Sequence, residues 1–113
     1  MATDQTPLNT FRTRAIALTD TATTIYTTPE GITGIVLGAL ASNIGTVPAT
    51  VTMILRKNST DYTILNEYSV PPYDSSDLTT GKLVLEQGTS LKALASTNNT
   101  MNLVLSILET TND

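Results

Sequence analysis

Residues 79–96 read TTGKLVLEQGTSLKALAS, and two incompatible folds hang on them. Gly81-Lys82 after two threonines resembles part of a phosphate-binding loop, which would make the protein an enzyme. A phosphate loop needs Gly, four residues, then Gly-Lys-Ser/Thr leading into a helix whose first amides hold the phosphate. Here Ser76 stands where the first Gly belongs, and Lys82 is followed by Leu83. The alternative is two short strands joined by a turn. Leu83 and Leu85 alternate with Lys82, Val84 and Glu86, Gln87-Gly88-Thr89 turns the chain, and Leu91, Ala93 and Ala95 share the next inward face. The second reading is the one taken, with Lys82 a solvated strand residue.

Working outward, the same grammar recurs along the chain. Residues 11–18 (FRTRAIAL) set Phe11, Thr13 and Ala15 opposite Arg12 and Arg14, while Ile16 and Leu18 fall on the arginine side. A second strand over 23–27 ends at Pro29-Glu30-Gly31. Residues 32–42 (ITGIVLGALAS) are the most apolar stretch. The β-branched Ile32, Thr33, Ile35 and Val36 and the interior Gly34 and Gly38 favour a central strand over a helix, with the glycines admitting a close neighbour. Asn43 to Pro48 is a loop. Over 50–56, Val51, Met53 and Leu55 face one way, and Asn58 to Asp61 supplies turn residues. Residues 62–70 form the return strand of a hairpin, with Tyr62, Ile64, Asn66 and Tyr68 on one side. Pro71 to Thr80 is an irregular stretch barred from central sheet by adjacent prolines. After the turn at Thr97 to Thr100, residues 101–107 place Met101, Leu103, Leu105 and Ile107 inward.

About eight short strands with turn signals roughly every 8–12 residues predict an all-β fold, a single antiparallel β-sandwich or jelly roll. Composition agrees, because Thr makes up about one residue in five of the 113 and suits a pleated, half-buried surface. The length is that of one domain. It divides into a flexible N-terminal arm over 1–9 and a sandwich over 10–113.

Several function classes recede on composition alone. The net charge is -4, and the basic residues Arg12, Arg14, Arg56, Lys57, Lys82 and Lys92 are scattered, so the concentrated positive face of a nucleic-acid binder is missing. The chain has neither Cys nor His, which removes disulfides, thiolate nucleophiles, the usual zinc sites and the commonest general base. Absent disulfides in so small a domain point to assembly in a reducing compartment. No apolar run reaches the roughly eighteen residues of a membrane span, and the polar start is unlike a signal peptide.

The remaining catalytic and ligand readings are weak. Asp74 and Asp77 beside Tyr73 suit a turn better than a calcium site, which takes more oxygen ligands. Glu67, Glu86 and Glu109 read as structural acids rather than a glycosidase pair, with no Trp and one Phe to stack on a sugar. A Ser or Thr nucleophile would have only isolated lysines to activate it. Asn58-Ser59-Thr60 and Asn98-Asn99-Thr100 match the glycosylation pattern but are ordinary turns. No catalytic residue, cofactor or metal is expected.

Residues 26–43 (YTTPEGITGIVLGALASN), 49–51 (ATV), 81–96 and 106–109 (SILE) together resemble small virion structural proteins of tailed bacteriophages. The resemblance implies a β-sandwich or jelly-roll subunit of the particle: a capsid decoration protein, a neck component or a tail accessory. Its partners would be further copies of itself and other virion proteins, with assembly in the host cytoplasm and neither nucleic acid nor membrane bound. The expected interface residues are Phe11, Pro71, Pro72 and Tyr73, aromatics and prolines beside irregular segments. A carbohydrate- or receptor-binding module at a fibre or baseplate tip is the first competing expectation, and a cell-surface adhesive or pilus-like module, disfavoured by the polar start, is the second.

Overall fold

Alternation with a period of two turns most of the apolar residues of this chain to one side, and two sheets bury those sides against each other. A computed structural model describes residues 9–79 and 81–112. It has nine strands: β1 (Asn9–Leu18), β2 (Thr23–Thr27), β3 (Ile32–Asn43), β4 (Ala49–Lys57), β5 (Thr60–Val70), β6 (Ser75–Asp77), β7 (Leu83–Leu85), β8 (Ser90–Ala95) and β9 (Met101–Thr111). One sheet runs β1-β9-β3, with β6 and β7 both on the far side of β3; the other runs β2-β8-β4-β5, and all pairs are antiparallel.

The pairs are nested. β4 pairs with β5, β3 with β7, β2 with β8 and β1 with β9, so the chain is one long hairpin rolled into two sheets. That is the jelly roll, which the alternation foretold as a class. The hairpin tip is Asn58-Ser59, both at positive φ (54° and 64°), the two-residue turn whose twist suits flanking strands.

The core is contributed by both sheets. Leu18, Val36, Leu85, Met101, Leu103, Leu105 and Ile107 from one meet Ile25, Val51, Met53 and Leu91 from the other, with alanines at 39, 41, 93 and 95 filling the narrower places. Each large aliphatic side chain so buried is worth about 1.5–3 kcal/mol.

Four local readings are corrected. First, the inward side of β1 is the arginine side: Leu18 is buried and Ile16 packs on the core, whereas Phe11 is 73% exposed. Arg12 and Arg14 share that side yet stay exposed, because β1 lies at an open edge where their heads reach polar partners. Second, Tyr62, Ile64, Asn66 and Tyr68 do not share a side. Two bulges break the period of β5, so that Tyr62, Leu65 and Tyr68 oppose Leu55, Met53 and Val51. Third, the proline stretch contains β6, which pairs with Leu40 to Ser42 at the edge of β3, a place compatible with the upstream prolines. Fourth, Lys82 is not a strand residue, because β7 begins at Leu83; the turn read at Gln87-Gly88-Thr89 is present and carries the chain from one sheet to the other.

The central position of β3 agrees with the sequence reading. Of its two glycines, Gly34 is the one that admits a neighbour: a Cβ there would stand 3.2 Å from the Tyr26 hydroxyl, while one at Gly38 would meet nothing within 4 Å. Gly38 instead lies at a bulge. The expected arm over 1–9 lies outside the described residues except for Asn9, which opens β1 opposite Thr110.

Candidate functional site

The two outer faces of the sandwich differ in chemistry. On the β2-β8-β4-β5 sheet, Arg56 Nη1 donates to Asp61 Oδ1 at 2.8 Å, and Lys92 Nζ lies 3.6 Å from Asp61 Oδ2. The Arg56 hydrogen bond, followed by the Lys92 charge, holds the Asp61 carboxyl below its ordinary range. This is a solvated, ion-paired surface.

The other outer face carries no charge on its three long strands. Its outward positions are Phe11, Thr13, Ala15 and Ala17 on β1, Asn102, Val104, Ser106, Leu108 and Thr110 on β9, and Thr33, Ile35, Leu40 and Ser42 on β3. Register aligns Phe11 with Leu108, Leu108 with Ile35 and Ile35 with Val84. The result is an apolar row across four strands, about 14 Å at the usual strand spacing. Val84, Leu37 and Leu40 are exposed alongside Phe11. Asp77 at the rim folds back to accept from the Thr79 amide and hydroxyl at 3.1 and 3.0 Å.

The end loops form a second feature, knotted around Asn43. This side chain is 1% exposed; its Nδ2 donates to the carbonyls of Val47 and Val70, and its Oδ1 accepts from the Gly45 amide, each at 2.9 Å. Its backbone accepts from the Tyr73 amide at 2.9 Å and donates to Asp74 O at 2.8 Å. The proline loop is thereby fixed. Tyr73 sits at φ 63°, a conformation costly for a bulky residue, and its ring is 77% exposed. Ile44 and Val47 are exposed at the same end, and a recess of about 380 Å³ opens between Ile44 and Tyr73.

The expected interface residues are therefore not brought together. Phe11 belongs to the charge-free face, near the end where β1 begins, and Pro71, Pro72 and Tyr73 belong to the end loops beside the start of β9. Sequence reasoning missed Asn43. Its signal was an Asn closing an apolar strand two residues before Gly45, the spacing of a side-chain-capped turn.

A third feature lies at the seam between β1 and β2. Tyr26 Oη donates to Glu109 Oε2 at 2.5 Å, and Arg12 Nε donates to Glu109 Oε1 at 3.1 Å. Burial, reinforced by the Glu109 hydrogen bond, pushes the Tyr26 hydroxyl well above its ordinary range. Gly34 makes room for this hydroxyl. Among the described residues no group of three His, Cys, Asp or Glu is placed to hold a metal ion, and Lys82 is exposed just before β7 begins.

The architecture is that of a small jelly roll. No protein-family model and no curated protein sequence matches the chain. Among solved structures it is similar to a chain from Bacillus endospore appendages, described as a family of disulfide-linked pili, with TM-score 0.58 and 16% identity over 93% of this chain and 88% of that one. That likeness is one of fold; this chain has no Cys to bring to such a linkage. Two structures of a pentameric capsid protein from metagenomic phage sequences superpose more loosely, with TM-scores of 0.46 and 0.44 and identities of 24% and 22%. They cover 87% and 88% of this chain, which spans 61% and 60% of theirs.

Proposed function

We propose that the protein is a non-enzymatic building block of a tailed-phage virion, forming a symmetric homo-oligomer and docking on a capsid, neck or tail protein. The unit is a single sandwich domain behind a short N-terminal arm. The observation that carries this reading is the outer face whose three long strands carry no charge, with its row of Phe11, Leu108, Ile35 and Val84. A solvated sheet face mixes charges into its outward positions, as the opposite face does, and a large exposed apolar patch marks an interaction surface. Ten residues of β1 by the three long strands β1, β9 and β3 give a plane of about 34 by 14 Å, or about 480 Å². That is about three fifths of the roughly 800 Å² per partner of a standard interface. Phe11 is its aromatic anchor, and Tyr73 with Pro71 and Pro72 offers a separate contact at the loop end.

The test is sedimentation and light scattering of wild type and Phe11→Asp, with mass spectrometry of purified particles. A stable oligomer disrupted by the substitution is expected. A chain that is monomeric at high concentration and absent from particles would refute the reading.

A second reading is favoured by one observation, the exposed ring of Tyr73, whose backbone is held at positive φ, beside the polar Ser42, Asp74 and Ser75. Stacking aromatics next to polar groups suit a glycan. Binding on a glycan array, lost on Tyr73→Ala, would support it.

A further inference from the structure

The seam between β1 and β2 carries two guanidinium groups that the fold uses only in part. Arg12 and Arg14 stand two residues apart on the same side of β1, about 7 Å along the strand. Each is tethered through Nε alone: Arg12 to Glu109, and Arg14 to the carbonyl of Ile25 at 3.1 Å. A guanidinium has five donors in a planar fork, and among the described residues the terminal nitrogens of both are left without a protein acceptor. They line a recess of about 460 Å³ whose wall includes Tyr26, Thr27 and Glu109.

Charge adds direction. Glu109 offsets Arg12, whereas Arg14 has no acidic partner within ion-pair distance among the described residues. The recess thus keeps one positive charge in a chain of net charge -4. Tethered forks are pre-organised, so little side-chain freedom is lost when they accept a planar anion.

We infer that this recess binds a carboxylate, gripped by the free ends of Arg12 and Arg14. Within an oligomer the carboxylate is Glu67 of the next copy. Glu67 lies on β5, the outer strand at the opposite edge of the sandwich, at a bulge with φ 50° and with its amide tied to Thr52 Oγ1 at 3.0 Å. It is exposed and has no basic partner within ion-pair distance among the described residues. An edge-to-opposite-edge contact is heterologous and closes into a ring when the rotation permits. The other source of the same chemistry is a small free carboxylate. The Glu67 source rests on the oligomeric reading above; the recess itself does not.

The experiment compares wild type, Arg14→Glu, Glu67→Arg and the two changes combined in one chain, with folding checked by circular dichroism. Association is measured by sedimentation at low salt, and citrate binding to wild type and Arg14→Gln by calorimetry. Each single charge reversal should weaken association about tenfold, as loss of a charge-assisted hydrogen bond does, and the combined chain should regain it. Unchanged association with citrate binding that disappears in Arg14→Gln supports the recess with a small-molecule source. A result in which the combined chain regains nothing and citrate binding does not depend on Arg14 overturns the inference. An oligomer that survives all these changes through its charge-free face leaves the proposed function standing.

Discussion

Replacing Asn43 by Ala should be among the most damaging single changes outside the aliphatic core. The side chain makes three hydrogen bonds of 2.9 Å at a place where it is almost wholly buried. Two carbonyls and one amide lose their partner together, and each such loss costs about 1–2 kcal/mol. Because the Gly45 amide is only part-buried and can recover water, the expected total is about 3–5 kcal/mol. That is a large share of the 5–15 kcal/mol that keeps a typical domain folded. At this chain length it corresponds to a fall in Tm of roughly 12–20 °C. Asn43→Asp should be at least as harmful, since it keeps the acceptor for Gly45 but turns an oxygen towards the carbonyls of Val47 and Val70. The assay is urea unfolding followed by circular dichroism at one fixed protein concentration, with an unchanged denaturant slope as the check that only stability has moved. A loss below about 1 kcal/mol for the Ala variant, or an Asp variant as stable as wild type, would refute the assignment of Asn43 as the knot of the end loops.

Three further outcomes are expected. Gly34→Ala places a methyl 3.2 Å from the Tyr26 hydroxyl, and should cost about 1–3 kcal/mol by thermal unfolding, as overpacking does. The raised pKa of Tyr26 stabilises the fold fully below the unfolded value near 10 and is lost as pH rises through the folded value. Stability should therefore decline above about pH 10, and Tyr26→Phe should flatten that decline in melting curves taken at increasing pH. Tyr73→Gly relieves the positive φ and should be more stable than Tyr73→Ala by about 1 kcal/mol in parallel denaturation, which would place the value of the ring outside the fold.

How much the sequence disclosed depended on whether periodicity or position governed a residue. The inward sets of β4, β8 and β9 were legible because clean alternation and burial coincide, as in Met101, Leu103, Leu105 and Ile107. The facing of β1 was not, because charge argues that Arg12 and Arg14 look outward, and only the neighbouring seam explains why they do not. β6 escaped because Ser75-Ser76-Asp77 has turn chemistry and becomes a strand by borrowing the edge of β3. The bulges of β5 likewise carry no clear signature in one sequence. Phe11 was expected at an interface as an aromatic beside an irregular segment, and the outer face around it emerges only when register lines up residues from four strands.

The nesting of strand pairs also sets an order in time. The β4–β5 hairpin closes over two residues, whereas the outermost pair joins Phe11 to Leu108, and contacts so distant along the chain form slowly and late. Among the described residues β1 is held in its sheet by β9 alone, so its amides should exchange hydrogen before those of β9. Since Phe11 rides on this last strand, the apolar row is incomplete on any chain that has not finished folding. Under the proposed function, competence to assemble would be deferred to the final closing step, and partly folded chains would be kept from associating through that face.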